Sequence, residues 1–284
     1  MIVRTVQRAN VSAIISRIRR VILTGWNEGQ GMRMASRVRT FLRKALSSNP
    51  GLWYWVRAAY CALGWGTRTD RDLLFALARR QKDVFFIEIG ANDGVSGDPL
   101  HHFIKRYRWR GIALEPVPDI FEKLQFAYRN DKNVIPLCAA LSDKDGKMTF
   151  HRVKPGPNVP IFCNGLGSFS RDVILSHRPL FPAIEDHIVE TEVKTVRFDT
   201  LVEMFGIEKI DVILIDTEGY DYEALKQIDF RHFQPSVVIY EHLHLDDTAK
   251  SASRELLASM NYDVYNSYDM NYVAVRKPTS TSGR

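Results

Sequence analysis

From Asp83 onward, short apolar runs alternate with amphipathic helical stretches, which restricts the chain to an α/β layout: a mostly parallel sheet with helices on both faces. The runs are Val84–Ile89, Gly111–Glu115, Val134–Ala140, Ile210–Asp216 and Ser236–Glu241. Helical patterns cover Pro99–Tyr107, Ile120–Tyr128, Tyr222–Gln227 and Thr248–Met260. Two last runs, Asp263–Ser267 and Tyr272–Arg276, are parted only by Tyr268-Asp269-Met270-Asn271. That gap is too short for a crossover helix, so an antiparallel hairpin is expected at the sheet end. The expected sheet is Rossmann-like and seven-stranded. Between Lys147 and Val196 the alternation breaks. Met148–Val153 and Thr191–Val196 read as extra strands around a Gly/Pro/Asn-rich loop, and residues 150–190 are expected to be an insertion serving as a substrate lid.

Charge separates the first residues from the rest. Met1 to Thr69 carry twelve Lys/Arg and one acid, Glu28, a balance of +11. The whole chain is at +6, so the remainder stands at −5 and the basic pI describes the leader. The expected organisation is a basic helical extension over 1–80, a catalytic domain over 81–277 and a flexible tail over 278–284. Within the extension, Ile14, Ile15, Ile18, Ile22 and Leu23, and then Met34–Leu46, recur at helical spacing. The Trp53-Tyr54-Trp55 cluster, Tyr60 and Trp65 add aromatics suited to packing on the domain or to peripheral contact with an anionic membrane. No apolar run approaches the roughly 20 residues needed to span a bilayer. Arg4, Arg8, Arg17, Arg19 and Arg20 break up any secretory pattern. Three cysteines without ligand spacing fit a reducing compartment. The expected location is cytoplasmic, peripheral at the inner membrane surface if the leader binds lipid.

Ligands of such sheets bind outside the carboxyl ends of the strands. The first strand ends in Glu88-Ile-Gly90-Ala-Asn92-Asp93-Gly94. Gly90 and Gly94 allow a tight turn and close approach, and Glu88 suits a cationic amino group. Glu115, at the next strand end and followed by Pro116, can accept both ribose hydroxyls of an adenosine. Ala140 and Leu141 can flank adenine, with Ser142 or Asp143 reaching its edge. A dinucleotide is disfavoured, because Asn92 stands where G-x-G-x-x-G needs its middle glycine and Asp93 would face a pyrophosphate. Acids here suit a cofactor with a sulfonium and no phosphate, S-adenosyl-L-methionine.

Four stretches together resemble the FkbM-type methyltransferase family: Glu88 to Gly94, Glu115-Pro116, Phe198-Asp199-Thr200-Leu201, and Ile210 to Asp221. Gly165-Leu-Gly167-Ser168 and Pro235 to Glu241 extend the similarity, which covers about residues 83–276. Val95-Ser96-Gly97-Asp98-Pro99 is more polar than the family pattern, and the basic leader lies outside it. The resemblance implies a class I methyltransferase fold and O-methylation of a hydroxyl on a glycan or natural product.

Methyl transfer to a hydroxyl requires alignment and removal of a proton. Asp216 and Glu218 follow the fourth core strand, and Asp221 reads as a helix cap. The fifth ends in Glu241-His242-Leu243-His244, where either histidine can serve as a base and, if the chain stays extended, both share a side. Asp216, Glu218, Glu241 and His242 are therefore the candidate catalytic set. With the histidines these acids can also hold a divalent metal, but none is assigned. His151, Arg152, Arg171, His177 and Arg178 supply cations from the insertion for an acidic or polyhydroxylated acceptor. No specific nucleic-acid partner is expected, because the catalytic part is acidic. An RNA or protein methyltransferase and a noncatalytic adenosine-binding scaffold stay open as alternatives.

Overall fold

A computed structural model describes residues 70–278 except 164, 268 and 269. The helices expected around Ile14 and over Met34–Leu46, the aromatic cluster, the tail from 279 and the hairpin turn at Tyr268-Asp269 lie outside the described residues.

Seven strands form the main sheet: β1 (Phe85–Ile89), β2 (Arg110–Leu114), β3 (Val134–Leu137), β8 (Val212–Ile215), β9 (Val237–Glu241), β10 (Tyr262–Ser267) and β11 (Asn271–Arg276). Their order is β10-β11-β9-β8-β1-β2-β3. β3, β2, β1, β8 and β9 run parallel. β11 pairs antiparallel with both β9 and β10. This is the Rossmann-like sheet with a terminal hairpin. The chain progresses outward from β1 to β3 and then returns to β8 on the other side of β1. That reversal opens a crevice at the carboxyl ends of β1 and β8.

Period-two alternation divides the strands between two cores. On one face Ile87, Ile89, Ile112, Leu114, Ile213 and Ile215 pack with α5 (Phe198–Phe205), α6 (Asp221–Gln227) and α7 (Asp247–Ser259). On the other, Phe86, Ala113, Val212 and Leu214 pack with α2 (His101–Tyr107) and α3 (Pro118–Tyr128). Leu73, Leu74 and Ala78 of α1 (Asp70–Arg80) join this second core. Residues 70–80, counted with the extension from sequence, thus belong to the compact unit that begins at Thr67.

The single strand expected over Val134–Ala140 is divided. β3 ends at Leu137, the Ala139 N–H returns to the Leu137 carbonyl at 3.0 Å, and Ala140–Leu141 becomes β4 of a second sheet. That sheet, ordered β4-β7-β5-β6, contains β5 (Gly146–Val153), β6 (Gly167–Ser168) and β7 (Ile188–Val196). β5 and β7 pair antiparallel over eight positions. The insertion is therefore an ordered layer. It carries α4 (Arg171–Leu175) and a small core of its own, with Val153, Cys163, Leu166, Ile174 and Ile184.

Candidate functional site

The register of the parallel strands brings their tips together. Ile89 lies opposite both Leu114 and Ile215. The N–H groups of Gly90 and Ala91 both donate to the Leu114 carbonyl, at 3.0 and 2.8 Å, and Asp216 N–H donates to the Ile89 carbonyl at 2.9 Å. Gly90 sits at φ +86°, and a Cβ there would lie 1.8 Å from the Asp216 carbonyl oxygen. Only glycine lets these loops close on each other.

They border a cleft that opens to solvent. Gly90, Asn92, Glu115 and Pro116 form one side, Asp216, Thr217 and Glu218 another. Ala140, Leu141, Phe150 and Phe169 form an apolar wall. From sequence, Phe150, Phe169, Gly165 and Gly167 are expected only as parts of the substrate lid, not as lining of this cleft. The Gly-Leu-Gly-Ser pattern was their faint signal, but only the pairing of β6 with β5 brings them here.

Glu115 is nearly buried. Its carboxylate accepts the backbone N–H groups of Asn92 (3.0 Å) and Val117 (2.9 Å). Burial raises its pKa to about 7 against the pull of those two bonds. Each oxygen keeps a lone pair for a further donor.

Asn92 and Glu218 both have positive φ, +49° and +50°, a strained conformation that collects at functional sites. Gly165 of the insertion closes on Asn92, whose side-chain nitrogen would lie 2.4 Å from an added Cβ. The Ser168 hydroxyl donates to the Glu218 carbonyl at 2.7 Å. The insertion is thereby fastened to both sides of the cleft.

Beside the cleft stands a group of acids. Asp216 is crowded by protein, which raises its pKa to about 7. Glu218's charge adds to the rise and His244 opposes it. The carboxyl is nevertheless open to the cleft, so water screens part of this. Glu241 is buried. Burial, and then the charges of Asp216, Glu218 and Asp221, push it to about 10. His244 Nε2 lies 3.0 Å from Glu218 Oε2 and 4.0 Å from Glu241 Oε2.

Several candidates lie elsewhere. Glu88 shares the strand face of Phe86, so its side chain points into the second core, fully buried, and bonds to Asp98; burial, then the Asp98 charge, raises its pKa strongly. Asp93 turns back on its own loop, accepting Val95 N–H (2.9 Å), Ser96 N–H (2.7 Å) and the Ser96 hydroxyl (2.7 Å). Burial works against its charge, but these bonds hold its pKa below the usual value. The Gly94 carbonyl is taken by the Tyr128 hydroxyl at 3.0 Å. Ser142 is buried and its hydroxyl lies within reach of Asp143 Oδ1 (3.3 Å) and of Met148 sulfur (3.1 Å), because the chain has already crossed to the second sheet. His242 is buried against Tyr272, ring centroids 4.0 Å apart. The two histidines do not share a side, since the chain turns after Glu241 and Leu245 N–H bonds to the His242 carbonyl. It is His244 that reaches the acids.

Asp221 is no helix cap. It is fully buried and accepts the Thr217 hydroxyl (3.0 Å), Gly219 N–H (3.2 Å) and Glu241 N–H (3.3 Å). It thus ties the turn after β8 to the end of β9. The expected cations of the insertion are mostly engaged elsewhere. Arg152 pairs with Asp119, and Arg171 and Arg178 both pair with Glu185. His151 lies 3.8 Å from Glu190. Only His177 reaches the acidic group, its ring 5.1 Å from that of His244.

The hexuronic acid methyltransferase AglP of Haloferax volcanii is 28% identical over 161 residues, 56% of each chain. The chain therefore spans about half the length of that relative. Among solved structures it is similar to a methyltransferase FkbM from Methylobacillus flagellatus, with a TM-score of 0.42, 12% identity and coverage of 68% of this chain and 44% of that one. It is also similar to Aeropyrum pernix fibrillarin in complex with S-adenosyl-L-methionine, with a TM-score of 0.35, 12% identity and coverage of 69% and 67%. Residues 88–267 match the methyltransferase FkbM domain, and the chain belongs to that family.

Proposed function

We propose that this protein binds S-adenosyl-L-methionine in the cleft between β1, β2 and β8 and methylates a hydroxyl group of a glycan, an acidic sugar in particular. One observation carries the reading: Gly90, Glu115 and Asp216 converge at the strand reversal around a cleft with an apolar wall. Glu115 is suited to accept the two ribose hydroxyls, because backbone N–H groups already fix both its oxygens. Ala140, Leu141, Phe150 and Phe169 suit a flat base. The acids at the rim suit a positively charged ligand and repel a pyrophosphate. Bound there, the cofactor supplies a methyl group made electrophilic by a positive sulfur.

The chain's own part is to orient the acceptor and take its proton. Glu218 is half-buried, lines the cleft and is held by His244 at 3.0 Å, so it is the base of choice. The acidic-sugar preference rests on the likeness to AglP and on His177 and His244, whose ring nitrogens stand beside the cleft near Glu218. The leader's +11 charge supports a peripheral contact with an anionic membrane at its inner face.

The test incubates the full-length chain with methyl-labelled cofactor and three acceptors: a glucuronic-acid oligosaccharide, its neutral counterpart and RNA. Label is expected on a sugar hydroxyl, with kcat lowered roughly 10²- to 10⁴-fold in Glu218→Gln. Label on RNA alone would overturn the proposed acceptor.

A further inference from the structure

We infer that Asp216, Glu218, Glu241 and His244 form a binding site for a divalent cation at the edge of the cleft, of the oxygen-preferring class that Mn²⁺ represents.

The fold builds the cluster from two neighbouring strands. β8 and β9 run parallel with Ile215 opposite Tyr240, so Asp216 and Glu241 leave the sheet side by side. Glu218 reaches back from the turn that Asp221 fastens. Oxygens of Asp216, Glu218 and Glu241 all lie within 4.8 Å of one another. His244 Nε2 stands 3.0 Å from Glu218 and 4.0 Å from Glu241. Ligands about 2.0–2.2 Å from a common ion are separated by roughly 3 to 4.4 Å, so small side-chain adjustments suffice. His177 joins Glu218 and His244 in an overlapping group of the same spacing.

A second observation points to an occupant. Glu241 is 7% exposed and its Oε2, which faces the cluster, has no hydrogen-bond partner. Glu218 Oε2 is likewise shielded from water, and His244 Nε2 at 3.0 Å is its partner. Buried carboxylate oxygens are otherwise paired or bound to metal. Among the described residues no lysine or arginine forms an ion pair with Asp216, Glu218 or Glu241; His244 alone does. Three carboxylates with one imidazole favour Mn²⁺ or Mg²⁺ over softer ions. Asp216 opens to the cleft, so an ion here has its free positions toward the bound molecule. There it would take two adjacent oxygens of a sugar, a role that rests on the glycan reading; the binding of the ion does not.

The experiment strips the full-length chain with a chelator and titrates MnCl₂, following free Mn²⁺ by electron paramagnetic resonance. One ion per chain is expected, with a Kd below about 1 mM, weakened at least tenfold in Glu218→Gln and in Glu241→Gln. Glu185→Gln, in an exposed ion pair of the insertion, should bind as the unaltered chain does. Glu218 is half-exposed, so its variant should keep the fold, checked by near-ultraviolet circular dichroism, even if Glu241→Gln does not. Absence of stoichiometric binding, or undiminished binding in Glu218→Gln, would overturn the site. Calorimetry with S-adenosyl-L-methionine on the same stripped chain separates the two readings. Mn²⁺ binding without cofactor binding removes the methyl-transfer proposal and leaves the ion site, and the reverse result removes only the ion site.

Discussion

Gly90 is the residue on which the geometry of the cleft turns. Its positive φ and its contact with the Asp216 carbonyl leave no room for a side chain, so Gly90→Ala must part the β1 and β8 loops. The expected cost is at least about 2 kcal/mol, read as a lowered urea midpoint. Gly156→Ala, where an added Cβ meets nothing closer than 3.6 Å, should stay within about 0.5 kcal/mol. Equal effects of the two would mean that the loops are not closed on each other. Gly90, Glu115 and Asp216 were legible in the sequence because a glycine or an acid just after an apolar run has few other places to go. Glu88 and His242 were less so. The side of a strand on which Glu88 falls depends on where β1 begins its alternation. The direction of His242 depends on a turn that no residue of Glu241-His242-Leu243-His244 signals.

At the scale of elements, the main-sheet strands were readable and the second sheet was not. β8 is a continuous apolar run, and β1 and β9 are apolar except for Glu88 and Glu241, because both faces of each are covered. Ala140–Leu141 is only two residues long and pairs with Thr195–Val196 more than fifty positions away. No local pattern records such a pairing. The same holds for α1, whose arginines resemble those of the leader while Leu74 is fully buried against the sheet. Leu74→Ala is therefore expected to cost about 2–5 kcal/mol in a denaturation experiment on the full chain. A cost within about 0.5 kcal/mol, as for a surface position, would return α1 to the extension.

At the scale of the molecule, the acids that shape the cleft make stability depend on pH. Glu115 has a folded pKa of about 7 and an unfolded value of 4.5. The folded state thus holds its proton more tightly. Its contribution is fully present below about pH 4.5 and is lost as pH rises through 7, a change of about 3 kcal/mol. Unfolding free energy measured from pH 4.5 to 8 should fall, and Glu115→Gln should flatten that fall. A pH profile that Glu115→Gln leaves unchanged would place Glu115 in water rather than under the cleft wall.

The most direct measurement is calorimetric titration of the full-length chain with S-adenosyl-L-methionine, beside Glu115→Ala and with NADH as the competing ligand. Binding of the sulfonium compound at one site per chain, lost or weakened at least tenfold in the variant and absent for NADH, is the expected result. No binding to a folded chain, or binding that Glu115→Ala leaves untouched, would contradict the assignment of the cleft.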